Sequence, residues 1–118
     1  MNHIDNFFRE LYRKFNDREI DLVISKMTDD VKWANGMDGG FVYGHKEVRE
    51  YWIRQFKMIS SNVTPIKISE ENGVVTIRVH QVVHDLEGKL LADEIVLHYF
   101  HMRDNNIAEF DIEEKIKE

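Results

Sequence analysis

Asp93 and Gln81 are the residues whose surroundings point most directly to chemistry. Each interrupts a set of aliphatic side chains that recurs at every second position: Val75, Ile77, Val79 and Gln81 in one run, Leu91, Asp93, Ile95, Leu97 and Tyr99 in the next. Such alternation marks strands with one buried face. A carboxylate among aliphatic groups is pushed toward its protonated form, which suits a general acid or base, and a nearby amide can orient a substrate. The alternative is that both sit at a solvated rim or satisfy each other by a hydrogen bond. His101 continues the same alternation and titrates near neutral pH, so it is the second candidate for proton transfer, against the commoner solvated strand-end histidine. The other histidines do not converge. His80 and His84 stand about 13 Å apart along one strand, and His98 and His101 point to opposite faces, whereas metal ligands must meet within about 2 Å of one ion. Neither a metal nor a cofactor is expected.

The candidate binding residues are mostly aromatic. Trp33, Tyr43, Trp52, Phe56 and Tyr99 fall on elements that should enclose a pocket for a small hydrophobic or aromatic molecule, although any one of them can equally be core. Asn35, where a strand meets a glycine-rich loop, is the expected orienting polar group, with Gln81 beside it.

Helices and strands must hold these groups. Ile4, Phe7, Phe8, Leu11, Tyr12 and Phe15 fall on one helical face, and Ile20, Val23, Ile24 and Met27 repeat the spacing after a break at Asn16-Asp17. A short strand at Val31–Asn35, the loop glycines Gly36, Gly39 and Gly40, and extended chain at Phe41–Tyr43 follow. Val48, Tyr51, Trp52, Phe56 and Ile59 mark a third helix. Strand-like runs at Val63–Glu70, Val74–His84, Leu90–Met102 and Ile107–Glu113 complete the chain, separated by turn residues at Asn72-Gly73, Asp85–Lys89 and Asp104–Asn106. Glu113 to Glu118 reads as a solvated tail.

The 118 residues suffice for one domain, 1–118, and 42% hydrophobic with 32% charged residues is globular composition. No apolar run reaches the roughly 20 residues of a membrane span, and the first residues, Met1 to Asp5, show no secretion signal. A net charge of −6 disfavours a nucleic-acid partner, which would require clustered Lys and Arg. With no cysteine, disulfides and thiol chemistry are excluded and a cytoplasmic location is expected.

The order helix, helix, strand, glycine loop, helix, four strands resembles the SnoaL-like family of the nuclear transport factor 2-like superfamily. The segments that carry the likeness are Asp29-Asp30-Val31-Lys32-Trp33, Gly44 to Trp52 and Arg103 to Ile107. The resemblance implies an α+β, cystatin-like cone of three N-terminal helices on a curved antiparallel sheet, commonly paired as a homodimer. It implies an acid–base enzyme of cyclase, isomerase or dehydratase type, or else a binding or structural subunit without turnover. Ketosteroid isomerases of this fold place their aspartate base, tyrosine and second acid at positions that align here with Asn35, Leu11 and Leu97. An amide cannot abstract a proton and leucine cannot donate one, which rejects that constellation. Polyketide cyclases of the group carry an acid on the last strand, making Asp111 the corresponding candidate.

Placing the second long hairpin in a register where paired residue numbers sum to 174 sets Gln81 opposite Asp93 and Ile77 opposite Leu97. That register predicts an inner face containing Asp93, Leu97, Tyr99 and His101. The predicted outer face holds Thr76, Arg78, His80 and Val82 against Ala92, Glu94, Val96, His98 and Phe100, a mixed surface suited to a second copy.

Overall fold

A computed structural model describes residues 3–113, and the expected tail beyond Glu113 lies outside them. The elements run α1 (His3–Asn16), α2 (Ile20–Ile24), β1 (Met27–Ala34), β2 (Phe41–Tyr43), α3 (Gly44–Phe56), β3 (Ile59–Glu71), β4 (Val74–Asp85), β5 (Leu90–Arg103) and β6 (Asn106–Glu113). The six strands form one sheet in the order β2-β1-β6-β5-β4-β3, and its inner face packs against the helices to make an α+β cone. The sheet is mixed rather than antiparallel throughout: β1 runs parallel to β6, with Trp33 opposite Phe110. A chain that returns to the sheet centre after a full meander approaches β1 from the same end, so the parallel pair follows from the connectivity.

The apolar stripe of α1 buries Phe8, Leu11 and Tyr12, while Arg9–Asp5 (2.7 Å) and Lys14–Glu10 (3.3 Å) pair across its exposed side. Asn16 fixes the end of α1 to the sheet, because its side-chain amide donates to the Val63 carbonyl at 2.8 Å and accepts from the Val63 N–H at 2.9 Å. The second helix is shorter than its spacing predicts. Met27 is buried, but as the first residue of β1. Likewise Ile59 begins β3, and Gln55 rather than Phe56 completes the buried face of α3 with Val48, Tyr51 and Trp52.

Two expected turns form tight hairpins. Asn72 and Gly73 (φ 54° and 81°) join β3 to β4, and Asp104 and Asn105 (φ 53° and 68°) join β5 to β6; the two positive φ angles in each match the right-handed twist of the flanking strands. The β4–β5 connection decides the site. Asp85 caps it through Oδ1, which accepts from the N–H groups of Glu87 and Lys89, both at 2.9 Å. His84 pairs with Leu90, a sum of 174, but after an irregularity Val83 pairs with Ala92 and the sum is 175 along the rest of the hairpin. One extra residue, Leu91, is accommodated on β5. Such a bulge moves every later side chain of that strand to the other face.

Candidate functional site

The core of the cone contains a cavity of about 360 Å³. Its walls are mainly apolar, with a cluster of aromatic rings on one side of the sheet. Trp33 stacks on Phe110 with ring centres 4.1 Å apart and meets Trp52 edge-on at 5.2 Å, while Phe100 contacts Phe110 at 5.0 Å. These rings come from β1, α3, β5 and β6, so the cavity exists only once the sheet and helices have closed on one another.

Two polar clusters interrupt the apolar wall. In the first, Tyr12 of α1 and His98 of β5 share a hydrogen bond of 2.6 Å between the phenol oxygen and Nδ1. His98 is only 6% exposed, and burial lowers its pKa to about 3, because imidazolium loses its hydration there without gaining an anion. Burial also raises the Tyr12 phenol well above its ordinary value. Both groups are therefore neutral at neutral pH. Since the pair uses Nδ1, and Nε2 has no partner among the described residues, one ring nitrogen of His98 is left to serve a ligand.

The second cluster is the half-buried pair Gln81 and Glu94, directly opposite in the observed register, with the Gln81 amide donating to Glu94 Oε2 at 3.3 Å. Gln55 and Ser61, both buried, and the Tyr51 hydroxyl add further polar atoms to the lining. Tyr51 also anchors the glycine loop, its oxygen accepting the Gly36 N–H at 3.0 Å, and burial raises its pKa.

Of the residues expected at the site, Trp33, Trp52 and Gln81 line the cavity. Asp93 does not: the bulge turns it to the outer face, where it accepts a 2.6 Å hydrogen bond from His80 with its side chain 55% exposed. Tyr99 and His101 follow it outward for the same reason, Tyr99 half-buried and His101 exposed. Asp111, opposite Tyr99, is also exposed, and its carboxylate accepts the N–H of Ile112 at 2.8 Å. Asn35 is committed to the loop, its side-chain oxygen accepting the N–H groups of Met37 (3.0 Å) and Asp38 (2.9 Å). Tyr43 is 54% exposed at the sheet edge. Phe56 lies behind Phe15, covered by the Arg18 guanidinium 4.2 Å above its ring.

Tyr12, Glu94 and His98, together with Tyr51, Gln55 and Ser61, are polar lining residues that the spacing did not reveal. Tyr12 sits within an apolar helical stripe, where nothing distinguishes it from core. Glu94 and His98 alternate with Val96 and Phe100, but the other half of β5 is equally apolar, so alternation alone names two faces without saying which is inner.

No protein-family model and no curated protein matches the chain. Solved structures do match it. TerC, crystallised with polyporic acid, is 24% identical over 95% of this chain and 90% of its own, with a TM-score of 0.82. An NTF2-like protein of unknown function from Burkholderia pseudomallei is 21% identical over 98% of this chain and 92% of its own, at 0.85. A putative polyketide cyclase from Sinorhizobium meliloti is 14% identical over 96% and 95%, at 0.77. The chain has the NTF2-like fold. In that fold the wall of the cone is a frame common to proteins of differing activity, so chemistry must be argued from the side chains inside it.

Proposed function

We propose that this NTF2-like domain binds a small hydrophobic or aromatic molecule in its cavity, and that Glu94 acts there as an acid–base group in a reaction of the cyclase, isomerase or dehydratase type. The observation that carries this reading is the partly open, mainly apolar cavity with a single carboxylate among its described lining residues. Apolar walls with few polar groups are the usual form of a small-molecule site. Gln81 holds one carboxylate oxygen of Glu94, which leaves the other for a substrate proton, while the neutral Tyr12–His98 pair offers a hydrogen bond to a second polar group. TerC, crystallised with polyporic acid, and the putative polyketide cyclase support the reading of the cone as a small-molecule site.

2-Tetralone, a neutral bicyclic ketone with acidic α-protons, tests both halves. Calorimetry should detect its binding, and Val96→Phe, which fills the cavity, should abolish it. In deuterated water the protein should speed exchange of the α-protons, with proton passing from carbon to the Glu94 carboxylate and deuterium returning, and Glu94→Gln should reduce the rate to background. Absence of binding overturns the proposal. Binding without exchange leaves a non-catalytic ligand-binding protein, a reading supported by the lack of a second carboxylate among the described lining residues.

A homodimer belongs to the same proposal, built on a different surface from the one the sequence suggested. With Val96, His98 and Phe100 inside, the outer face of β5 presents Ile95, Leu97 and Tyr99 beside Val82 of β4, an apolar strip suited to self-pairing. A monomeric mass by light scattering at micromolar concentration would exclude it.

A further inference from the structure

Among the described residues, the cavity wall carries one carboxylate and no cationic side chain. Among the described lining residues only Glu94 carries a formal charge, since His98 and Tyr12 are kept neutral by burial and no described Lys or Arg lines the cavity. Glu94 makes no ion pair among the described residues; its hydrogen-bond partner is the neutral amide of Gln81. Three cations of the fold are engaged outside the lining. Arg18 lies over Phe56 and donates to Ser60, Arg54 pairs with Asp38 at 2.6 Å, and Lys32 sits over the Phe41 ring at 4.2 Å.

We infer that the cavity selects a hydrophobic ring bearing an amine or hydroxyl and discriminates against one bearing a carboxylate. The inference rests on the reading of the cavity as a ligand site. A ligand anion would be stripped of water beside Glu94 with no cation to receive it, and charge repulsion grows as the surroundings become less polar. An ammonium or hydroxyl group instead supplies the donor that the free Glu94 oxygen lacks. The apolar side chains of the rest of the lining, such as Val83, Val96 and Phe100, offer a carboxylate nothing to replace its lost water. The discrimination is thus built by the wall as a whole and focused by one residue.

Three compounds on one ring system separate charge from shape: 2-aminotetralin as the cation, 2-tetralone as the neutral member and tetralin-2-carboxylate as the anion. Calorimetry on the intact protein at pH 7 should show the amine binding about tenfold or more tightly than the carboxylate, a difference of ~1.4 kcal/mol. Glu94→Gln should bring the two within about threefold of each other, and Glu94→Asp, which keeps the charge, should retain the preference. Equal binding of amine and carboxylate by the unmodified protein overturns the inference while the binding of 2-tetralone leaves the cavity reading standing. Survival of the full preference in Glu94→Gln also overturns it. If none of the three compounds binds, both readings fall.

Discussion

Two histidine hydrogen bonds of equal length have opposite physical characters. Tyr12–His98 and His80–Asp93 both measure 2.6 Å, but the first is enclosed by the aromatic core and the second lies on the outer sheet face with side chains 42% and 55% exposed. Inside, burial fixes the protonation state: imidazolium is excluded and the pair is neutral. Outside, water solvates either state, and an ion pair between such groups contributes about 0–1 kcal/mol. Distance alone does not reveal what a hydrogen bond contributes; the dielectric around it does.

The largest expected consequence is an acid instability belonging to the inner pair alone. His98 has a folded pKa of about 3 against an ordinary 6.5, so the unfolded chain takes up its proton first as the pH falls. The contribution is fully present above pH 6.5 and is lost from there toward pH 3, by ~1.4 kcal/mol per pH unit and ~5 kcal/mol in all. Urea melts between pH 7 and 4.5 should show that slope, and His98→Phe should remove most of it. A wild-type midpoint that stays constant over this range would mean His98 is not held neutral by burial.

Removing the phenol should have a smaller effect. Tyr12→Phe leaves His98 Nδ1 without its partner in the core, at a cost of about 1–3 kcal/mol by urea denaturation at pH 7. Smallest of all, Asp93→Asn should change stability by less than about 1 kcal/mol and leave the binding of 2-tetralone as it was. Should Asp93→Asn weaken that binding severalfold, the outer face would be part of the site and the contrast between the two pairs would fail.

Much of the frame was legible because it depends on local rules. The α1 stripe, the helical pattern around Val48 to Trp52 and the Asn72-Gly73 and Asp104-Asn105 turns are each determined by residues close in sequence. The site was legible only in part. Trp33 and Gln81 lie on strand-like runs and Trp52 on a helical stripe, each read from its own local spacing, and all three line the cavity. Asp93, Tyr99 and His101 were assigned inward through the hairpin register, and that register holds only from His84 to the turn.

Length, charge, the absence of cysteine and the spacing of apolar side chains therefore determined an α+β chain with an aromatic-rich core and amphipathic strands. Which carboxylate enters the cavity was decided by tertiary structure. Asp93 and Glu94 are neighbours, and with side chains of β5 apolar on both faces, the sequence makes the two orientations nearly equivalent. Packing breaks the tie: the bulge at Leu91 turns Phe100 toward Phe8, Trp33 and Phe110 and brings His98 to Tyr12, contacts between β5 and three other elements. A two-residue period cannot encode its own phase when both faces are apolar, so the phase is set by long-range partners that no local pattern contains.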